Sequence, residues 1–426
     1  MDPDYIAFTE EMKRDYTILV PNMLPMHFKM ILEILGCYGY RMELLETTDR
    51  AISECGLKYV HNDTCYPAIL VIGQFVTALQ SGKYDPDKVA LMLFQTGGGC
   101  RASNYIPLLR KALGRAGYPQ VPVISFSFAG LEKHPGWHLT LPILRRMLHA
   151  VFYGDLLMLL SNQCKPYELE PGSTDALAAA WTHRIAEEMK QKKNVRRSAV
   201  RRTYRAILRD FAALPRSGEK KIRVGVVGEI FVKYSPLGNN NLEDFLLSEG
   251  AEVVVPGLLG FVMYSLYDNL MDTRLYKINK LKYPMWCLAY RFFRRREDEF
   301  IRCIREEGTF DPPRNFSETV SLREGYIGLG AKMGEGWLLT AEMLELSREG
   351  VKNIICTQPF GCLPNHICGK GMMRPIKEHN PDVNIVAIDY DAGATRVNQE
   401  NRIKLMLSNA RRQQDADAAA EERLIS

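Results

Sequence analysis

The sequence has no apolar run long enough to cross a membrane. Its longest apolar stretch, Val253 to Tyr267, spans about 15 residues and contains Pro256 and Gly257, whereas a membrane-spanning helix needs about 20. The first residues, MDPDYIAFTEEMKRDY, are acidic and lack the apolar segment of a secretory signal peptide. We therefore expect the apolar stretch to form buried core, the protein to be cytoplasmic, and no membrane to be among its partners.

Neither sign of charge dominates the chain. The 55 Lys and Arg residues exceed the 50 Asp and Glu residues only slightly, for a formal net charge of +5. A dedicated nucleic-acid binder carries a larger and more clustered basic excess, so we expect no nucleic-acid partner. The chain also lacks the GxxxxGK[ST] phosphate loop, the GxGxxG fingerprint and a Ser-His-Asp arrangement. These absences predict that the chain does not itself hydrolyse ATP.

Runs that predict strands alternate with helical patterns in two parts of the chain. In residues 1–165, strands are predicted at Thr17–Pro21, Arg41–Glu46, Val89–Gln95 and Val121–Phe128. In residues 221–410, they are predicted at Ile222–Val227, Glu252–Val255, Asn353–Cys356 and Asn384–Asp389. This rhythm is typical of parallel sheets covered by helices on both faces. We therefore predict an α/β protein with two comparable domains that face each other across a cleft.

Helices dominate the remaining segments. The middle segment, residues 166–220, contains one long predicted helix over Asp175–Leu214, whose basic run is expected to face solvent or, alternatively, to contact phosphate. A helical insert is predicted at about residues 260–305, and a closing helix at Gly393–Ala410. The polar tail, residues 411–426, is expected to fray.

Four of the ten cysteines occupy predicted strand ends or helix starts. Cys65 lies in HNDTCYPA, Cys100 in QTGGGCRASNY, and Cys356 and Cys362 in CTQPFGCLPNHIC. Ligand sites in open α/β sheets lie at the carboxyl ends of the strands. A helix N-terminus also stabilises a thiolate, which is the form of cysteine that binds metal. We therefore predict that these four cysteines are candidates for a metal site.

The other six cysteines are expected to lie outside that site or at its border. Packing roles are predicted for Cys37, Cys287 and Cys303, and Cys55 and Cys164 are expected to lie in loops without a role. Cys368 lies one loop past Cys362 and is a weaker candidate for a neighbour of the site. The spacing of the four candidate cysteines does not identify the cofactor. No close C-x2–4-C pair of a zinc ribbon occurs, and cysteines from scattered loops suit iron–sulfur ligation. Zinc, a catalytic cysteine and the absence of any cofactor are the alternatives.

Several other residues border the predicted site. Gly97, Gly98 and Gly99 allow the backbone to turn tightly or to approach a bulky group closely. Glu229, in GEIFVKYSPLGNNN, is a candidate polar contact or a helix cap. His61 and His366 flank the cysteine motifs, where they either contact a bound group or serve a structural purpose. The run GLGAKMGEG, Gly328 to Gly336, is expected only to form a turn that opens a helix.

Four of these motifs resemble a known family. The runs YVHNDTCYPAILVIGQF, QTGGGCRASNYIPLLRKAL, GEIFVKYSPLGNNN and QPFGCLPNHICGKGM resemble the iron–sulfur component of 2-hydroxyacyl-CoA dehydratases. The similarity is closer to the C-terminal domain of large acyl-CoA dehydratase activase-related proteins. It implies two Rossmann-like domains and a cluster, [4Fe-4S] or a double cubane, held by Cys65, Cys100 and Cys362. Cys356 is then an extra ligand or a neighbour.

The resemblance also implies a function. In that family, an ATP-dependent activator with its own iron–sulfur cluster supplies low-potential electrons to the component that resembles this chain. We expect a reductase- or dehydratase-like reaction on an acyl-CoA or another small substrate, and a dimer, with Glu229 and Arg101 as catalytic candidates. The Arg101 guanidinium is expected to stabilise a reduced cluster or an anionic substrate, a plain surface ion pair being the alternative. A dehydratase subunit proper and a non-catalytic scaffold of the same fold are the competing functions.

Overall fold

The computed structural model describes residues 5–61, 63–96, 98–126, 132–191 and 196–425, the last nine of them by their backbone alone. Within these residues the strands form two parallel sheets of four strands each. The strands are β1 (Thr17–Pro21), β2 (Arg41–Leu45), β3 (Val89–Phe94), β4 (Val123–Phe126), β5 (Ile222–Gly228), β6 (Ala251–Val254), β7 (Asn353–Pro359) and β8 (Asn384–Tyr390).

The two sheets repeat one topology. Their strand orders are β2-β1-β3-β4 and β6-β5-β7-β8. Burial follows the apolar sequences of the central strands, since β3 reads VALMLF with only Phe94 exposed, and β7 reads NIICTQP and is buried from Ile354 onward. Continuous apolar strands of this kind belong in sheets covered on both faces. The predicted α/β class with two Rossmann-like parallel-sheet domains is thereby confirmed.

Helices connect and cover the strands. They are α1 (Glu10–Asp15), α2 (Pro25–Gly36), α3 (Ala51–Tyr59), α4 (Tyr66–Gln80), α5 (Tyr105–Ala116), α6 (Leu141–Cys164), α7 (Ser173–Lys190), α8 (Arg197–Ala212), α9 (Ile230–Tyr234), α10 (Pro236–Asn239), α11 (Leu242–Ser248), α12 (Leu258–Tyr276), α13 (Tyr283–Glu307), α14 (Phe316–Leu322), α15 (Trp337–Arg348), α16 (Met373–His379) and α17 (Arg396–Ile425). Short single turns occupy Pro86–Lys88, Arg101–Asn104, Lys165–Tyr167, Lys280–Lys282, Asn365–Gly369 and Lys370–Met372.

A second apolar core lies among the helices rather than against the sheets. Phe152 of α6 and Tyr204 of α8 both pack against Phe300 of α13, with ring centroids 5.7 and 5.6 Å apart. Trp181 of α7 and Trp337 of α15 belong to the same buried cluster. This core therefore joins the middle helices to the helical insert of the second half.

Asp155 of α6 adds a polar link between the halves. Its carboxylate accepts hydrogen bonds from the amides of Leu258 and Leu259, 2.9 and 2.8 Å away, at the start of α12. Its Oδ1 atom also lies 2.8 Å from the Nε2 atom of His27. A Cβ atom at Gly257 would lie 2.7 Å from this carboxylate. Glycine at that position therefore lets the helix N-terminus approach the negative charge that favours it.

The prediction of one continuous helix over Asp175–Leu214 is wrong. Two helices, α7 and α8, occupy the span, and residues 192–195 between them lie outside the described residues. Arg196 has an extended backbone, with φ −85° and ψ 141°, so the second helix begins anew at Arg197. The Nε atom of Arg197 lies 3.0 Å from the Glu299 carboxylate on α13. Part of the basic run thus pairs with the helical insert instead of facing solvent alone.

Two chain segments also differ from the prediction in length. The tail was expected to fray from residue 411, but α17 continues to Ile425. Its sequence RRQQDADAAAEERLI contains no glycine or proline and is rich in strong helix formers. At the other sheet, β4 ends at Phe126, and the predicted strand residues Ser127 and Phe128 lie outside the described residues.

Candidate functional site

The carboxyl ends of the two sheets face each other. The Tyr66 amide donates a hydrogen bond of 3.0 Å to the carbonyl of Phe360, which follows β7. The Ser235 hydroxyl donates one of 3.0 Å to the carbonyl of Asn22, which follows β1. The central strands of each sheet, β1 with β3 and β5 with β7, flank the point where the strand order reverses, which is where ligands bind in open α/β sheets. The region between these ends is therefore the candidate site.

Cys65 and Cys362 reach this region on adjacent loops. Cys65 caps the N-terminus of α4, with Pro67 in the first turn, and Cys362 follows β7. Gly361 has a positive φ of +76°, and a Cβ atom there would lie 3.0 Å from the Thr64 carbonyl oxygen and 3.2 Å from the Cys65 Cα atom. The glycine therefore permits the close approach that brings the two cysteine loops together.

Cys100 approaches from the end of β3, beneath a loop from the second half. Gly98 has φ +75°, and its Cβ position would lie 2.8 Å from the Met333 Sδ atom. The Gly99 amide lies 3.1 Å from the same sulfur. A Cβ atom at Gly334 would lie 3.9 Å from the Cys100 Sγ atom. The Met333 thioether therefore lies in the space beside Gly98 and Gly99. Gly97 lies outside the described residues.

The three thiols form one electrostatic group. The Cys65 thiol interacts with both Cys100 and Cys362, and the Glu229 carboxyl interacts with all three. Cys65 is 5% exposed and Cys362 is 7% exposed, and Cys100 is half-buried. The Cys65 Sγ atom also lies 2.7 Å from the Tyr105 hydroxyl. Cys65, Cys100 and Cys362 therefore lie on neighbouring loops within electrostatic range of the same carboxyl, Glu229.

Burial keeps these thiols protonated in the metal-free chain. It raises the pKa of Cys65 to about 12, and it raises the pKa values of Cys100 and Cys362 as well. Neighbouring carboxyls add to each rise, and the Tyr105 hydrogen bond offsets part of the rise at Cys65. The expected thiolate stabilisation by helix N-termini is therefore outweighed. Because metal ligation requires thiolates, a bound cation or cluster would have to displace these protons.

Two carboxyls lie near the thiols, one half-buried (Glu229) and one buried (Glu335). Glu229, directly after β5, accepts a hydrogen bond of 2.9 Å from the Val232 amide and so caps α9. Glu335, in the loop before α15, accepts one of 2.8 Å from the Ile230 amide. Burial, reinforced by Glu335, raises the pKa of Glu229, and burial also raises the pKa of Glu335. Glu229 is thus both a helix cap and a polar neighbour of the thiols. Together, Glu229 and Glu335 can hold protons beside the thiols.

Cys356 does not join this group, which corrects the prediction that it lies at a strand end. β7 continues three residues further, to Pro359, because β8 pairs with it as far as Pro359 and Tyr390. Cys356 is therefore fully buried inside the strand, among apolar side chains, and its thiol lies 3.5 Å from Asn365 Oδ1. Cys368 is closer to the site, since it is buried and its thiol interacts with Glu335.

The predicted polar neighbours lie at the surface. The His61 side chain is 75% exposed and lies 3.2 Å from the Asp63 carboxylate. His366 is exposed, and its Nδ1 atom lies 2.6 Å from Gln358 Nε2. Arg101 is exposed and donates a hydrogen bond of 2.7 Å to the carbonyl oxygen of Asp63. The structure therefore gives neither histidine a contact with the thiols, and Arg101 links the Cys100 loop to the Cys65 loop.

The remaining cysteines occupy buried, half-buried and exposed positions, with Cys55 and Cys287 half-buried. Cys303 is buried in α13, in agreement with its predicted packing role. Cys37 is exposed directly after α2, so the packing role predicted for it is wrong. Cys164 is buried at the end of α6, although a loop was predicted there.

Sequence reasoning missed three residues of the site. Tyr105 contacts Cys65, Met333 contacts the Cys100 loop, and Glu335 faces the thiols. Met333 and Glu335 both belong to GLGAKMGEG, which was predicted to be only a turn. The sequence did contain a feature that could have identified Met333 and Glu335. Their glycine-rich run directly precedes a helix, as QTGGGC does, and α/β proteins place ligand-binding loops at that position.

Comparison with known proteins adds no assignment. The chain matches no protein-family model, and no curated protein is significantly similar to it. No helix in the described ranges combines the length and apolar character that a bilayer crossing requires. In the same ranges, no three His, Cys, Asp or Glu side chains stand close enough together to hold a metal ion.

The donor set nevertheless fits a sulfur-binding centre. Three thiols lie on separate loops that border one region, and thiolate sulfur is the ligand of iron–sulfur clusters. The side-chain amide oxygen of Gln358, near the end of β7, is buried and has no hydrogen-bond partner among the described residues. The site therefore offers soft ligands together with an unused polar atom on a neighbouring strand.

Proposed function

We propose that this chain is an iron–sulfur protein of the 2-hydroxyacyl-CoA dehydratase type. In this proposal Cys65, Cys100 and Cys362 ligate a cluster, and an ATP-dependent activator supplies it with low-potential electrons for a reductase- or dehydratase-like reaction. The observation that carries the proposal is that the three cysteine loops contact one another: the Tyr66 amide bonds the Phe360 carbonyl at 3.0 Å, and Arg101 bonds the Asp63 carbonyl at 2.7 Å. When bound, the cluster would supply one-electron chemistry.

The protein's own groups have separate tasks in this proposal. Cys65 and Cys100 come from the first half and Cys362 from the second, so ligation would fasten the halves together. Each thiolate of a cluster binds a different iron, so its ligands need not converge on one point. The Tyr105 hydroxyl, 2.7 Å from Cys65 Sγ, would donate a hydrogen bond to that thiolate. Met333 packs against Gly98 and Gly99 and so partly covers the Cys100 side.

The two carboxyls near the thiols fit a proton-holding task. Glu229 interacts with all three thiols, and Glu335 with Cys100 and Cys362. Because burial raises both of their pKa values, they hold protons next to thiolates without adding negative charge. Buried Lys233, which pairs with Glu342 at 3.1 Å, also interacts with both. These groups would keep the charge of the site low when an electron arrives.

Serine substitutions test the ligand set. We expect the chain purified without oxygen to be brown, to contain iron and sulfide, and to give an electron paramagnetic resonance signal on reduction. Cys65→Ser, Cys100→Ser and Cys362→Ser should each lose most of that iron. Cys356→Ser and Cys303→Ser are matched controls at buried cysteines outside the group and should keep it.

The same measurements distinguish the competing functions. A folded, colourless wild-type chain without iron would favour the non-catalytic scaffold. Zinc in place of iron, or unchanged iron in the Cys100→Ser variant, would contradict the proposed ligand set.

The electron supply needs its own test because the sequence carries no nucleotide-binding motif. The cluster signal is expected to appear when the chain is mixed with an iron–sulfur activator ATPase and ATP, and to stay absent with a non-hydrolysable ATP analogue. Reduction that proceeds equally well without ATP would contradict the activator.

A further inference from the structure

The outer half of the α12–α13 pair extends away from the protein core. Residues 272–296 form this hairpin tip, and none of them is buried. Residues 274–282, at the turn, are exposed without interruption. In the inner halves, by contrast, Met263 and Phe300 pack into the helical core. The turn of the hairpin tip is therefore left uncovered by the rest of the described chain, whereas Tyr290 and Phe293 on the inner side of α13 pack against the helical core.

An apolar stripe runs along the outer face of this tip. Met285, Leu288 and Phe292 follow one another at steps of three and four residues, which places them on one face of α13. Leu281 lies four residues before Met285, in the turn that precedes the helix. Leu281 is 99% exposed and Leu288 is 72% exposed. Leu275, Tyr276 and Ile278 extend the exposed apolar surface around the turn. Leaving so much contiguous apolar surface in water is unfavourable and marks an interaction site.

Beyond Asp272, which pairs with Lys332, the charge of the hairpin tip has one sign only. Eight Lys and Arg residues lie between residues 273 and 296, and no Asp or Glu does. Within the described residues, Arg296 is the one among them that pairs with a carboxylate, Glu299, at 3.2 Å. Arg291 and Arg295 border the apolar stripe on one side of the helix, and Lys282 borders it on the other. The stripe is therefore framed by cations that the protein does not neutralise.

We propose that the hairpin tip binds the surface of an anionic lipid bilayer. An apolar face flanked by Lys and Arg, with aromatic residues such as Tyr276 and Phe292 beside it, is the pattern of interfacial helices. Lys280 and Lys282 flank Leu281, so the leucine can enter the acyl boundary while both ammonium groups stay at the headgroups. This surface association revises the expectation of no membrane partner, which was based on the lack of a spanning segment.

The charge distribution disfavours the other occupants of such a face. A second copy would bring an equally cationic tip against this one, and like charges repel. A single partner helix would cover the stripe on α13 but not Leu275, Tyr276 and Ile278 around the turn. A bilayer surface meets the whole convex tip at once. Each Lys or Arg near an anionic surface adds about fivefold to the affinity.

Vesicle flotation of the full chain tests the proposal. We expect binding to vesicles of phosphatidylcholine mixed with phosphatidylglycerol, none to pure phosphatidylcholine, and loss of binding at high salt, which screens the charges. Leu281→Glu and Leu288→Glu should each weaken binding about tenfold, because each removes one buried leucine from the lipid contact. Leu405→Glu on α17, where the leucine is 64% exposed, is the matched control and should bind like the wild type.

Three results would overturn the proposal. The first is wild-type protein that ignores the anionic vesicles. The second is binding that Leu281→Glu and Leu405→Glu weaken equally. The third is self-association of the wild type, measured by sedimentation without lipid, that disappears in Leu281→Glu. That result would mean that the hairpin tip binds a second copy of the chain. The iron content of these variants should stay at the wild-type value, so the outcome is independent of the proposed cluster.

Discussion

At the scale of single residues, the contact between Cys65 and Tyr105 connects the fold to the chemistry of the site. Tyr105 begins α5, is buried, and places its hydroxyl 2.7 Å from the Cys65 sulfur. Burial raises the pKa of Tyr105 well above its usual value. The phenol therefore keeps its proton and can donate it in a hydrogen bond to a thiolate.

Tyr105→Phe should lower the reduction potential of a cluster ligated by Cys65. A hydrogen bond to a charged group contributes roughly 1.5–3 kcal/mol, and 1.4 kcal/mol corresponds to about 60 mV for one electron. We expect a downward shift of tens of millivolts in an anaerobic redox titration, with iron content unchanged. Tyr234→Phe, which removes a hydrogen bond of 2.6 Å to the Pro256 carbonyl, is the control and should leave the potential in place. Equal potentials in both variants would show that Tyr105 has no contact with a ligand.

At the scale of elements, the site depends on how β5 ends. Gly228 closes the strand with φ +143°, and the next residue, Glu229, turns toward the thiols and caps α9. A Cβ atom at Gly228 would lie 2.2 Å from the backbone oxygen of Thr357 on β7. Backbone atoms cannot move aside as a flexible side chain can, so only glycine fits between these two strands.

Gly228→Ala should destabilise the protein by about 3 kcal/mol, from overpacking and an unfavourable backbone angle together. The measurement is the free energy of unfolding in urea. Gly260→Ala is the matched control, because that glycine lies in α12 with no atom within 4 Å of its Cβ position. We expect the control to be neutral or to gain up to about 1 kcal/mol. A Gly228→Ala protein as stable as the wild type would refute this account of the strand end.

The last helix is predicted to be dispensable beyond its packed part. Ile403, Met406 and Leu407 anchor α17 in the core, whereas residues 411–416 are exposed. Arg411 makes a hydrogen bond of 2.7 Å to the Glu249 carbonyl. A stop after Arg411 should therefore change the unfolding free energy by less than about 0.5 kcal/mol, as measured by urea titration. A stop after Arg402 removes the anchor and should prevent folding, so similar stabilities of the two truncations would contradict the packing described here.

At the scale of the whole molecule, buried acids make stability depend on pH. Glu297 of α13 is 5% exposed; one of its oxygens accepts a hydrogen bond from the Phe316 amide at 2.8 Å, and the other has no partner. Burial raises the pKa of Glu297 to about 7, from 4.5 in an unfolded chain. The folded chain therefore binds the proton more tightly than the unfolded chain does. The contribution of this proton to stability is complete below pH 4.5 and is lost as the pH rises to about 7.

Glu297→Gln should remove this pH dependence, because the amide does not ionise. Between about pH 4.5 and 7, the variant should gain stability relative to the wild type by at most roughly 1.4 kcal/mol per pH unit. Urea unfolding at several pH values measures this difference. Glu324→Gln, at a side chain that is 70% exposed, is the control and should follow the wild-type profile. A constant difference between Glu297→Gln and wild type across the window would contradict the raised pKa.

Iron removal should weaken the whole molecule, because the proposed ligands come from both halves. A ligand bound only by the folded state stabilises it, and loss of a tight one should lower the melting temperature by about 5–10 °C for a chain of this size. Anaerobic chelation followed by calorimetry measures the shift. The Cys362→Ser protein should not respond to the chelator. An unchanged wild-type melting temperature after complete iron removal would mean that no cluster joins the halves.

Local sequence determined the elements. Continuous apolar runs such as VALMLF specified buried parallel strands, and β1 at Thr17–Pro21 and α4 at Tyr66–Gln80 have the bounds that their patterns predict. Such elements are set by interactions between residues close in the chain, namely side-chain periodicity, a proline in a first turn, and glycine at a turn. The same reasoning placed Cys65, Cys100 and Cys362 at strand ends or helix starts.

The tertiary structure alone decided which of these residues meet. Cys356 was assigned to a strand end because its sequence neighbours suggested one, but pairing with β8 extends β7 past it. Glu335 and Met333 reach the Cys100 loop from a segment more than two hundred residues away. Contacts between distant segments depend on how the two sheets face each other, and no local pattern encodes that arrangement. The sequence by itself therefore determined the two sheets and the cysteine candidates, whereas packing selected three thiols and placed two carboxyls beside them.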